Sequence, residues 1–273
     1  MVEASEIRTT TRADPVGVCI YCGRTEGLSD EHVIPHALGG RFVLPEASCR
    51  SCAAVTSAFE RSVLRGFMLD ARTAGGFPTR RPKERPTTSS LEIKRGDRLE
   101  SIELPSTELP GFLQLPLLKP AAFLTGRPPV KGVEIIGPET ISFGKKPEEV
   151  ASTFGTDTLR TTVNVDATAF VRMLAKIGYS YAVATQGPYP RSEVPVLPLI
   201  LGSADDGGTW VGSAEYRLSV EDKRPTHGLG LISLTATVDE IAESVLVARV
   251  KLFADAGATG YEVVVRRSRG SGP

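Results

Sequence analysis

The chain has 273 residues, of which 41% are hydrophobic and 6% aromatic, and its formal net charge is zero. That length supports one large core or two modest ones, and the zero net charge excludes a chain that binds polyanions through overall charge alone. The charge is uneven, however. Between Arg61 and Arg98 ten Lys/Arg stand against four Asp/Glu, a local +6 over 38 residues, and such a stripe can engage phosphates in a neutral protein.

Residues 1–16 read as a loose leader. The run "MVEASEIRTTTRADP" lacks the apolar segment of a secretory signal. The longest apolar stretches, such as "VPVLPLILG", fall far short of the roughly 20 residues that a membrane span needs. A cytoplasmic protein without membrane contact is therefore expected. In that reducing compartment, paired cysteines favour metal over disulfides.

Residues 17–72 form the first expected domain and hold all four cysteines. Cys19-x-x-Cys22 and Cys49-x-x-Cys52 are separated by 26 residues. Four thiolates are the full tetrahedral set of a structural zinc, and a filled set leaves no open position for catalysis. Between the pairs lies "DEHVIPHALGG", in which an acid precedes His32, and Gly39 and Gly40 make a turn. His36 follows four residues later, but Pro35 rules out a helical His pair, so His36 reads as a surface residue or a phosphate contact. After the second cysteine pair, Val55, Phe59, Val63 and Phe67 recur at helical spacing and mark a core-facing stripe. Ala53, Thr56 or Ser57, and Glu60 fall on the opposite face.

Residues 73–90 are rich in Pro, Gly and Arg and read as a basic linker or arm. Arg80, Arg81, Lys83 and Arg85 could neutralise backbone phosphates there without reading bases; a solvated linker would carry the same residues. Residues 91–273 are expected to form an α+β domain. "LEIKRGDRLESIEL" predicts a hairpin, and the proline-rich stretch 105–160 predicts irregular structure with short strands. A core helix is predicted over 167–185, capped by Asp166 and ended by Gly187. Strands are predicted in "VPVLPLILG", "GTWVGSAEYRLSV", "LGLISLTATV", "ESVLVARVKLFA" and "YEVVVRR". Asp205 and Asp206 read as a turn, and His227 as a structural or exposed loop histidine.

Cys19-x-x-Cys22, "DEHVIPHALGG" and Cys49-x-x-Cys52 together resemble the HNH endonucleases, the zinc-stapled branch of the ββα-metal nucleases. The resemblance covers residues 17–70. It implies a small ββα domain that hydrolyses phosphodiesters with help from Mg²⁺ or Mn²⁺, on DNA first and RNA second. It also implies that His32 is the general base and that Glu31 binds the divalent ion. Many relatives carry an asparagine directly after the second cysteine pair, where this chain has Ala53. Glu60, on the same helical face, is the neighbour with the charge to complete a metal site, and Asp30 is a substitute for Glu31. The other reading is a non-catalytic zinc module that binds nucleic acid or protein through an eroded metal site. A third places the activity in residues 91–273.

Overall fold

The computed structural model describes residues 12–214, 226–238 and 241–269. Most of the expected leader therefore lies outside the described residues. Its last residues are not loose. Arg12 bridges to Val43, and the Ala13 and Val16 amides donate to the carbonyls of Val43 and Pro45.

The first unit is a hairpin followed by a helix. β1 (Leu28–His32) pairs antiparallel with β2 (Val43–Cys49), and α1 (Arg50–Arg65) follows directly. A register shift between Ser29 and Glu31 breaks the simple alternation, as a bulge does when it re-aims a side chain. Glu31 is buried, whereas Asp30 stays exposed beside Arg12. The Gly39–Gly40 turn has two separate steric causes. Gly39 adopts the left-handed conformation, φ 85°, and a Cβ on Gly40 would collide with the Ile34 carbonyl. The buried face of α1 is Cys52, Thr56, Phe59, Val63 and Leu64. The expected stripe is thus shifted: Val55 is only half-buried, and Phe67 is buried in the turn beyond the helix.

α2 (Leu69–Ala74) comes next, so the helical structure continues two residues into the expected linker. β3 (Thr88–Arg95) and β4 (Arg98–Pro105) form the predicted hairpin. β5 (Pro110–Leu118) and β6 (Ile135–Gly144) correct the expectation of short strands. They make a two-stranded sheet in which Pro116 faces Pro138. Each strand has a free edge, and there a proline's missing N–H removes no ladder bond. α3 (Pro147–Phe154) and the two-residue β7 (Leu159–Arg160) complete this region, with β7 added to β3.

α4 (Ala167–Gln186) is the axis of the molecule. Asp166 caps it by accepting from the Ala169 amide, and Gly187 ends it, as predicted. The run "VPVLPLILG" is not a strand: Pro198 sits at the start of a short helix, α5 (Leu197–Leu201). α6 (Gly207–Trp210) precedes β8 (Val211–Ala214), so only part of "GTWVGSAEYRLSV" is a strand, and the remainder of that run lies outside the described residues. β9 (His227–Val238), β10 (Ile241–Leu252) and β11 (Gly260–Arg269) join β8 in an antiparallel sheet ordered β8-β11-β10-β9. The architecture is α+β.

α4 lies between this sheet and the cysteine-bearing unit. Its Gly178 lets Ala248 and Val263 of the sheet approach closely, while Tyr179 and Ser180 meet the first cysteine pair. Tyr179 Oη donates to the Ile20 carbonyl at 2.7 Å, and Tyr21 Oη lies 3.4 Å from Ser180 Oγ. One hydrophobic cluster runs from Cys19 through α4 to Val265. Fully burying side chains such as Phe59 and Val63 contributes about 1.5–3 kcal/mol each. Among the described residues no helix is long and apolar enough to cross a membrane.

Candidate functional site: a cleft on the zinc-stapled hairpin

The four cysteines are free, and their sulfurs lie within 4.8 Å of one another. Sulfurs on one tetrahedral zinc are separated by about 3.8 Å, given Zn–S distances near 2.3 Å. The Cys22 and Cys49 sulfurs are 3.5 Å apart. The donor set fits zinc. It joins the turn before β1 to the start of α1 and so fixes the helix against the hairpin.

On the open side of this unit lies a cleft of about 860 Å³. Its walls come from β1, from α1 and from the segment 79–86. Glu31, His32 and His36 line it from the hairpin; Ala53, Ser57 and Glu60 line it from α1. Arg80, Arg81 and Arg85 line it from the basic arm, whereas Lys83 does not. Arg81 is paired with Glu84 at 3.0 Å, and Arg65 reaches the same carboxylate at 3.2 Å. Arg85 donates to the Phe77 carbonyl. Arg61, Arg65 and Arg72, members of the basic stripe that the sequence did not single out as site residues, also line the cleft. Arg61 and Arg65 follow Ala53 and Ser57 at four-residue steps on α1, and that spacing was the available signal. Arg72 is buried and acts as a strut. It donates to the carbonyls of Ala37 at 2.7 Å and Leu64 at 2.6 Å, and this ties the His36 turn to α1.

His32 is half-buried, and its ring meets that of His36 edge-on with centroids 6.0 Å apart. Burial lowers its pKa below the ordinary 6.5, and the positive charges of Lys176 and Arg80 add to the effect. The imidazole is therefore neutral near pH 7, the state that accepts a proton.

Glu31 and Glu60 do meet, but a cation of the chain already lies between them. Lys176, from the middle of α4, is fully buried. Its Nζ lies 2.7 Å from Glu31 Oε1 and 2.9 Å from Glu60 Oε1, and it donates to the His32 carbonyl. The Val33 carbonyl is 3.5 Å away. Burial alone would lower the lysine pKa, but the two carboxylates outweigh burial and the net shift is upward, so the ammonium is charged. Burial raises the Glu60 pKa, and Lys176 opposes it. The contact to Glu60 Oε1 is an ion pair without hydrogen-bond geometry. Asp30, the substitute considered for Glu31, is held by Arg12 at 2.9 Å.

The Mg²⁺ or Mn²⁺ implied by the resemblance therefore does not fit this donor set. The two carboxylates are shared with an ammonium, and Ala53 offers no donor. A divalent ion about 4 Å from Nζ would be repelled by roughly 8 kcal/mol at an effective dielectric near 20.

The remaining candidates are structural. His227 is buried, with its ring between Leu38 and Phe253. Asp206 accepts from the Trp210 indole at 2.8 Å at the start of α6.

A hairpin and helix joined by four cysteines, with an acid–histidine pair facing a basic cleft, define a zinc-stapled ββα module. Residues 19–64 match a family model described as HNH endonuclease, so this module is similar to HNH endonuclease domains. Residues 65–273 lie outside that match. Comparison with curated proteins and comparison with solved structures each gave no match.

Proposed function

We propose that the chain is an HNH-type nuclease that hydrolyses phosphodiesters of nucleic acid, DNA foremost, with His32 as general base. The observation that carries this reading is that His32 lines an arginine-rich cleft on a module matching the HNH model. His32 takes a proton from water, the resulting hydroxide bonds to phosphorus, and the ester P–O bond breaks. The leaving oxygen is protonated from solvent. Arg61 and Arg80, which line the cleft, would neutralise phosphate charge. The bound nucleic acid would run along the arm 79–86, as backbone contacts without base readout. The free cysteines support a reducing, cytoplasmic setting.

The test is cleavage of supercoiled plasmid and of RNA by the purified, zinc-loaded chain. His32→Ala should lower the rate by about 10²–10⁴ while zinc content is unchanged. Equal rates for the two proteins overturn the assignment.

One observation favours a second reading, in which the module binds nucleic acid without cutting it. Lys176 holds both carboxylates that would bind a catalytic metal. Under that reading the chain retards DNA in a salt-dependent way and never nicks it.

A further inference from the structure

We propose that the cation of this HNH site is built into the chain, with the Lys176 ammonium resident between Glu31 and Glu60 in place of a divalent metal ion.

The surroundings of Nζ are those of a small hard cation. Two carboxylate oxygens approach it at 2.7 and 2.9 Å from two different elements, β1 and α1. Main-chain carbonyls of His32 and Val33 supply the other oxygens. Oxygen donors of this kind also suit Mg²⁺ and Mn²⁺. The absence of a donor at Ala53 is then consistent, because an ammonium needs no further ligand from α1.

Lys176 is not a retractable plug. Its neighbours Ala175 and Ile177 are fully buried, and α4 is fixed from both sides, by Gly178 against the sheet and by Tyr179 against Ile20. Swinging the ammonium away from Glu31 and Glu60 would leave a buried charge without its partners.

An ion pair that served only to fasten α4 to the hairpin could sit anywhere on their interface. This one uses the carboxylate immediately before His32 and the one carboxylate of α1 that lines the cleft. It also holds the carbonyl of His32 itself. Lys176 is thus a positioning residue: it fixes the backbone that carries the imidazole. It delivers a single positive charge where a metal would deliver two. Arg61 and Arg80 supply the extra positive charge on the cleft side. The proposal concerns which cation occupies the site, and it stands or falls whether or not the cleft cuts.

The test is Mn²⁺ binding to the full-length, zinc-loaded protein, read from the electron paramagnetic resonance of free Mn²⁺. The wild type should bind no Mn²⁺ at this pair up to about 1 mM. Lys176→Met should create a Mn²⁺ site, and adding Glu60→Gln should remove it again. A purely structural ion pair would give no such gain. A second readout needs no variant at position 176: Mn²⁺ added to the wild type should leave the His32 ring proton resonances unbroadened. Broadening of these signals, or Mn²⁺ binding to the wild type that Glu31→Gln weakens about tenfold or more, overturns the proposal. So does a folded Lys176→Met protein that gains no site.

Discussion

His227 Nε2 lies 2.7 Å from the main-chain oxygen of Leu38, which joins β9, an edge strand of the C-terminal sheet, to the turn that contains His36. The second ring nitrogen, Nδ1, accepts from the Phe253 amide at 3.2 Å. A carbonyl only accepts and an amide only donates, so the ring is the neutral tautomer with its proton on Nε2. Burial lowers its pKa below 6.5, with partial opposition from the Leu38 carbonyl and Asp255. As pH falls through 6.5 the unfolded chain takes up the proton before the folded one does. Stability is therefore lost from that point down towards the folded pKa.

Acid should accordingly destabilise the protein between pH 7 and the folded pKa of His227, seen as a falling urea midpoint. His32, also shifted down, acts in the same direction. His227→Ala should cost about 2–4 kcal/mol at pH 7, since it leaves a buried carbonyl and a buried amide unpaired. It should also flatten the acid dependence. An unchanged pH profile in the variant would assign the acid sensitivity elsewhere.

Cleavage by the wild type should show an acid limb below pH 6.5, reporting the lowered His32 pKa. Arg80→Ala removes one of the charges that lowers it, so the limb should move towards higher pH. An acid limb that stays in place would show that Arg80 does not face the imidazole.

Arg80→Ala should also weaken nucleic-acid binding about equally for different sequences, and it should lower the slope of log K against log[salt] by about 1. Lys83→Ala, outside the cleft, should change neither. Fluorescence anisotropy over a salt series separates the two.

Lys176→Ala leaves Glu31 and Glu60 facing each other without their counter-charge. Breaking a buried pair of this kind costs about 3–5 kcal/mol. The double variant Lys176→Met with Glu31→Gln should recover part of that loss, measured by chemical denaturation, because the uncompensated charge is gone. Additive losses would mean that the two side chains do not interact.

Gly40→Ala should destabilise the hairpin by about 1–3 kcal/mol, since its Cβ meets the Ile34 carbonyl. Gly39→Ala is strained by its positive φ instead. Thermal melting with zinc retained would register both.

The local features were legible in the chain itself because each rests on neighbours in sequence. The two Cys-x-x-Cys pairs place four sulfurs for one metal, and the "DEHVIPHALGG" run carries the acid, the histidine and the turn. Asp166 and Gly187 bound α4 by capping chemistry. The run "VPVLPLILG" was misread because a short apolar stretch has no period that separates strand from helix. The prolines of β5 and β6 argued against strands that a two-stranded sheet tolerates.

The partners of Glu31 and Glu60 could not be read in this way. Lys176 follows His32 by 144 residues, and its only trace in the sequence is a charge set among apolar neighbours in α4. The sequence by itself determined a four-cysteine hairpin and helix with an acid–histidine pair between the cysteine pairs. Only tertiary packing decided which cation its carboxylates hold, because burial brings a distant ammonium within 3 Å of both, and in a dry core a charge stays where its counter-charges are.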